Sequence, residues 1–196
     1  MPATVPEARE LLRGLNFDAE RSNERSALVL LALANLRPGQ EWSEAENPTV
    51  GVTPIMELVR EWGTTWAPNT RETVRRFTLH QFVAAGMVEY NSDNPERPVN
   101  SPKANYRLSP AALEVVRAWG SADADDVVDT YLIELPGQLA AYAAARDMHR
   151  IPVTLPNGTI VTLSPGGQNV LIRAMVEEFC PRFAPGGQVL YLGDAD

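Results

Sequence analysis

A mainly α fold with a small β component (α+β) is predicted by three observations. Apolar residues recur at helical spacing in several segments that begin on capping residues. Short apolar runs are paired across polar turn signals in two places, as hairpins require. The chain has 196 residues and 44% hydrophobic content, enough for one good core or two small ones.

The elements follow in chain order. "TVPEARELLRGLN" places Ala8, Leu11, Leu12 and Leu15 at helical spacing and ends near Gly14. "SNERSALVLLALANL" offers Ser22 and Asn23 as caps, and its almost wholly apolar second half belongs in a core. "RPGQEWSEAENPTVGV" is a loop punctuated by Pro and Gly. "TPIMELVREWG" predicts a short helix with Thr53 as cap, Pro54 at the first helical position and Gly63 beyond the end. In "APNTRETVRRFTLHQFVAAGMVEYN", Asn69 stands where a cap is needed and Glu72 follows at capping-box spacing. That helix runs to Ala85 and stops at Gly86. "MVEYN" then reads as a strand and "NYRLS" as its partner, with the polar, proline-rich "SDNPERPVNSPKA" between them.

"SPAALEVVRAWGS" is another capped helix, and Ser121 to Glu134 is acidic. "LPGQLAAYAAARDMHR" predicts a helix with a break at Pro136-Gly137. Beyond it Ile151, Val153 and Leu155, then Ile160, Val161 and Leu163, flank Asn157-Gly158, a hairpin signal. Ser164-Pro165 starts a helix to about Phe179, and "QVLYLGD" is strand-like. Helix, helix, arginine-bearing helix, strand, long loop, strand is the order of a winged helix-turn-helix, with the long loop as the wing.

Charge is uneven along the chain. The formal net charge is -8 and the sequence pI about 4.8. Trp66 to Ser109 nevertheless holds six Lys+Arg against four Asp+Glu, so the remainder carries -10. Overall acidity excludes a surface coated in nucleic-acid contacts but leaves room for a local basic site. No apolar run approaches the roughly 20 residues of a membrane span. The N-terminus lacks a basic start and an apolar h-region, so it is not a secretory signal. Cys180 is the only cysteine, so no intrachain disulfide forms, and a reducing cytoplasm fits. With only His80 and His149 to help, it builds no zinc site either.

The basic centre is Arg71, Arg75 and Arg76. At 100° per residue, Arg71, Arg75 and Thr78 share one strip of the helix, and Thr73, Arg76 and His80 share another. Leu79, Phe82 and Val83 make the second half more apolar. An outward N-terminal half on an anchored C-terminal half suits a helix whose first turns read base edges in the major groove. Guanidinium pairs bidentately with phosphate or with guanine O6/N7. The DNA-facing candidates are therefore Asn69, Thr70, Arg71, Thr73, Arg75, Arg76 and His80. The competing reading is a solvated face with Glu72 pairing Arg76 at i, i+4.

In and beside the wing, Asn91, Arg97, Asn100, Ser101, Lys103 and Asn105 are turn formers or phosphate and minor-groove contacts. Lys103, the only lysine in the chain, is the phosphate contact of choice. Glu177, Glu178, Asp194 and Asp196 are the acidic residues near a strand, and Glu177 and Asp194 are the catalytic candidates among them. Metal-dependent phosphodiester chemistry needs converging carboxylates and commonly a lysine, and no lysine follows Lys103. A helix surface and a strand-end loop is thus the stronger reading of those residues. No phosphate loop, GxSxG elbow or Cys-His pairing occurs.

"RSALVLLALANL", "APNTRETVRRFTLHQFVAAGMVEYN", "RPVNSP" and "LSPGGQNVLIRAMVEEFCPRFAPGGQVLYLGD" together resemble the BsuBI/PstI-type restriction endonucleases over most of the chain. The resemblance implies a winged-helix-like DNA-binding domain at 1–120 and an acidic helical linker or dimer contact at 121–150. It also implies the hairpin, helix and first strand of a PD-(D/E)xK-like α/β nuclease domain at 151–196. The parent enzyme would be a cytoplasmic homodimer that cuts double-stranded DNA at a short palindrome with Mg²⁺; the name-giving members read CTGCAG. Its catalytic motif is expected beyond residue 196, so no catalytic residue, metal ligand or cofactor is assigned to this chain alone. Two other classes remain open on the residues: a stand-alone winged-helix transcriptional regulator, and a winged-helix protein-interaction module.

With no set of carboxylates plus lysine after the hairpin, the 196-residue chain is expected not to cleave DNA. Incubation in excess with plasmid and Mg²⁺ checks this; site-specific fragments would contradict it.

Overall fold

The computed structural model describes residues 1–98, 101–147, 150–163 and 167–192. Two compact units are present: Met1–Ser92 with Asn105–Ala140, and Asp93–Ala104 with Ala141–Asp196.

The first unit is built on α2, Glu24–Leu33, which Asn23 caps by accepting from the Ser26 N–H at 3.0 Å. Eight successive residues, Ser26 to Leu33, are buried. A helix apolar all round lies inside a core, and α2 is covered accordingly. α1, Val5–Gly14, is capped by Thr4 and applies Leu11 and Leu12. α3, Val52–Glu61, applies Ile55 and Val59. α4, residues 70–84, contributes Val74, Leu79 and Phe82, and the ring of Phe82 meets Phe17 edge to face at 5.4 Å. Strands β1, Val88–Tyr90, and β2, Tyr106–Leu108, pair antiparallel with Glu89 opposite Arg107, and Val50 adds one bridge to Tyr106. α5, Pro110–Ala118, is capped by Ser109 and buries Ala112, Val115 and Val116. α6, Ala124–Asp147, buries Val128 and Tyr131 in the same core.

The second unit pairs β3, Ile151–Thr154, with β4, Ile160–Leu163, in the register Ile151 to Leu163 and Thr154 to Ile160. Its loop turns at Gly158, at φ 84°, where glycine has no side chain to strain. Val153 and Leu163 meet Val176 of α7, residues 167–183, in a small core.

Several expectations are corrected. Gly51, not Thr53, holds the N-cap position of α3, because Val50 is fixed by its bridge to Tyr106 and the helix starts directly after it. α6 has no break at Pro136. The missing N–H costs about 3 kcal/mol, but burial of Val128 and Tyr131 before it and the alanine-rich "LAAYAAA" after it favour one continuous helix. α7 continues past Phe179 to Phe183. Residues 188–192 of "QVLYLGD" form no strand, because a strand needs a neighbour for its backbone and no described residue supplies one; Leu190 and Tyr191 are exposed. Ser164, Pro165 and residues 193–196 lie outside the described residues.

Leu30 is wholly buried at the middle of α2. Leu30→Ala is expected to destabilise the chain by roughly 2–5 kcal/mol, read as a lower denaturation midpoint at unchanged slope in urea.

Candidate nucleic-acid interface

α4 carries the arginine cluster, and its backbone is not uniform. It is α-helical over Thr70–Val74, opens into a π turn over Arg75–Leu79, and is α-helical again over His80–Ala84. The His80 N–H accordingly donates to the Arg75 carbonyl, five residues back. A π turn spends an extra residue, so everything beyond it is turned by about one 100° step from the regular wheel. This redraws the expected strips. His80 moves from the strip of Arg76 towards that of Glu72 and Arg75, and Arg75 outweighs Arg76 among the charges acting on its ring. Thr78, expected beside Arg71 and Arg75, is buried and accepts from Arg25 Nε of α2 at 3.0 Å.

The start of α4 also differs from expectation. Asn69 is exposed, has helical dihedrals and makes no side-chain cap. The turn before it does that work: the Thr70 N–H donates to Ala67 O at 2.9 Å and the Arg71 N–H to Pro68 O at 3.3 Å. Glu72 is thereby released from any capping box. Instead of pairing with Arg76, it accepts from Arg75 Nε at 3.0 and 3.2 Å and from Nη2 at 2.6 Å. That hydrogen-bonded guanidinium holds the Glu72 carboxyl below the usual carboxylate range.

The cations of this stretch therefore fall into different states. Arg75 faces Glu72, Arg107 faces Glu89 across the β1–β2 ladder at 2.6 Å, and Arg97 faces Asp93 at 2.6 Å. Arg71 and Arg76 are exposed and, among the described residues, have no carboxylate partner. The Arg76 guanidinium sits 5.5 Å from the ring centre of exposed Phe77. Thr70 and Thr73 are half-buried. His80 reaches solvent on one side, yet desolvation of its ring and then the charge of Arg75 push its pKa below the ordinary histidine value.

Four residues beside the cluster escaped the sequence reading. Tyr90 and Tyr106 are opposed on β1 and β2 with ring centres 5.2 Å apart. Burial, then Tyr90, pushes the Tyr106 hydroxyl up to about 12, while Arg75 and Arg71 pull it down. Their signal is the mirrored pair "YN" and "NY" at the ends of the two strands. Arg21, in the turn before α2, and Arg25, in its first turn, reach Gln81 at 3.2 Å and Thr78. Spacing of i, i+4 is their only trace in the sequence.

Asn91 and Asn105 are corrected from wing contacts to hairpin closers. Both are buried, Asn91 takes φ 52°, and its Oδ1 accepts from the Asn105 N–H at 3.1 Å. Asparagine tolerates that left-handed backbone better than most residues. Within the second unit, Arg97 keeps its side chain mostly covered, Ser101 Oγ accepts from the Lys103 N–H at 3.2 Å, and the Lys103 side chain is exposed. Asn100 and His149 lie outside the described residues.

The described acidic candidates, Glu177 and Glu178, assemble no metal centre with the other described residues. Glu177 accepts from the Thr154 N–H at 2.8 Å and approaches Arg173 Nε at 4.0 Å, so it ties α7 to β3. Glu178 instead lines an open cleft of about 390 Å³ with Leu171, Met175, Phe179 and Phe183. Among the described residues no group of three His, Cys, Asp or Glu could hold a cation, and they do not fit a Mg²⁺ site; Asp194 and Asp196 lie outside them. No described helix is long and apolar enough to cross a membrane.

Comparison with known proteins places the chain in a family. The family described as the BsuBI/PstI restriction endonuclease HTH domain matches residues 3–140, and the BsuBI/PstI restriction endonuclease domain matches residues 151–196. The chain is 44% identical to the type II restriction enzyme BsuBI of Bacillus subtilis, over 99% of this chain and 62% of that one. It is 36% identical to the type II restriction enzyme AplI of Arthrospira platensis, over 90% and 55%. Among solved structures it is similar to the SdaI restriction endonuclease, at 41% identity and a TM-score of 0.66, covering 98% of this chain and 61% of that one. The chain thus spans little more than half the length of these relatives, and it belongs to the BsuBI/PstI family of restriction endonucleases.

Proposed function

We propose that this chain is the DNA-reading part of a type II restriction endonuclease, with α4 as the helix that enters the major groove. The observation that carries the reading is the state of α4. An acidic chain leaves Arg71 and Arg76 exposed and, among the described residues, without a carboxylate partner, on a helix whose other face is locked into the core by Val74, Leu79 and Phe82.

Roles follow from position. Arg71 and Arg75, nearest the helix start, read bases; Arg76, about 100° further round, takes a phosphate. Asn69, Thr70, Thr73 and His80 supply shorter polar contacts. Arg97, Ser101 and Lys103 of the 93–104 loop serve the backbone in the manner of a wing, and Asn91 with Asn105 holds the base of that loop. Residues 1–120 would form the winged-helix reading domain, 121–150 a linker or subunit contact, and 151–196 the start of the nuclease domain. Mg²⁺ would act in the parent enzyme, on carboxylates that the described residues do not provide.

The readings are checked by Arg71→Ala, Arg75→Ala and Arg76→Ala, measured against a selected and a scrambled duplex at several salt concentrations. Loss of a base-reading arginine is expected to cost roughly 1–3 kcal/mol and to relax one base position. Loss of Arg76 is expected to weaken both duplexes alike and to lower the salt slope by about 1. Wild-type behaviour from all three would reduce the cluster to a solvated face. Because a palindrome is read by two-fold symmetric halves, the parent enzyme is expected to be a homodimer. Light scattering that finds only monomers, with and without duplex, would count against that.

A further inference from the structure

We infer that Glu72 is a positioning residue for sequence discrimination, holding the Arg75 guanidinium so that one edge is presented to a base while its charge is withheld from the phosphate backbone. The inference rests on the reading of α4 as a DNA-facing helix.

The geometry is specific about which edge is used. Glu72 engages Arg75 through Nε and Nη2, with distances of 3.0, 3.2 and 2.6 Å. A guanidinium has five N–H donors in a fixed planar fork. The side edge, Nε with one Nη2 proton, is occupied by the carboxylate. The end edge, Nη1 with the second Nη2 proton, stays open, and it is the edge that meets guanine O6 and N7 end-on. Arginine on a flexible stem loses rotamer freedom when it binds, and a group already held in place loses less. Neighbours reinforce the arrangement: Arg71 lies one turn before Arg75, and the π turn brings His80 to the same side. Burial and then Arg75 disfavour a charge on His80, which weakens it as a rival cation for the carboxylate.

The second consequence is electrostatic. A carboxylate on a DNA-facing strip repels phosphate at every sequence equally. It therefore weakens non-specific binding and makes occupancy depend on the bidentate acceptor pair that only the right base offers. Discrimination is a difference of affinities, and a repulsive group on the wrong complex widens it.

The test uses the full chain and a duplex pool with a randomised core of about ten base pairs. Wild type, Glu72→Gln, Glu72→Asp, Arg75→Gln and the double variant Glu72→Gln with Arg75→Gln are compared for the motif they select and for binding of a scrambled duplex across salt. Glu72→Gln is expected to blur one base position, to reduce the ratio of selected to scrambled binding by roughly tenfold or more, and to raise the salt slope on the scrambled duplex by about 1. Glu72→Asp, which keeps the carboxylate, is expected to recover part of the discrimination. With Arg75→Gln already present, Glu72→Gln is expected to change discrimination no further, because its effect runs through Arg75. An unchanged motif and slope in Glu72→Gln overturns the inference. So does an equal effect of Glu72→Gln with or without Arg75, which would make Glu72 a base reader or a bulk charge. If wild type itself selects no motif and binds no duplex, the DNA-reading role of α4 falls and this inference with it.

Discussion

Eight successive residues of α2 are removed from water, and the placing of α1, α3 and α4 follows from covering them. Each fully buried leucine or valine there is worth about 1.5–3 kcal/mol relative to exposure, so no neighbour can drift away at small cost. α4 is one of the covers. Its apolar half is fixed by this demand, and its first two turns are left to face outward. The core thus supplies a rigid mount, and the polar chemistry at the start of α4 inherits its direction from contacts on the opposite face.

That mount explains which features were legible beforehand. Asn23, Ser109 and Gly86 mark their boundaries as local chemistry dictates, and the ladders at Val88–Tyr90 and Ile151–Thr154 follow from alternation and turn residues. The π turn was not legible. It has no composition of its own, and it arises where Thr78, Leu79 and Phe82 must all reach the core while Arg75 stays near the surface. A regular wheel therefore misplaced Thr78 and His80. The partner of Glu72 was missed for a related reason: spacing alone offers Arg75 at i, i+3 and Arg76 at i, i+4 equally, and only the local path of the chain chooses. Pro136 failed as a breaker because burial ahead of it outweighs a local penalty.

The arginine cluster looks like three equal charges in the sequence and is not so in the folded chain. One is tied to a carboxylate on its own helix, one rests over an aromatic ring, and one has no carboxylate partner among the described residues. Uniform attraction to any polyanion would follow from three free charges. Unequal states make for a surface that responds differently to a phosphate, a base edge and bulk salt. The buried asparagines at the hairpin base make the complementary point: residues rich in hydrogen-bonding capacity were assigned to a ligand, and the fold uses them on itself.

Lys103 is exposed, and it is the only lysine among 196 residues. A protease that cuts after lysine therefore has a single peptide bond available in the whole chain, Lys103–Ala104, on the loop joining the two strands beside α4. Amine-directed dyes and cross-linkers likewise find one side chain there and one other amine, the Met1 terminus, which lies 3.7 Å from Glu41. The loop thus carries a built-in address for covalent chemistry. A nick or a label at that one position reports on the surroundings of the loop without altering any arginine of α4.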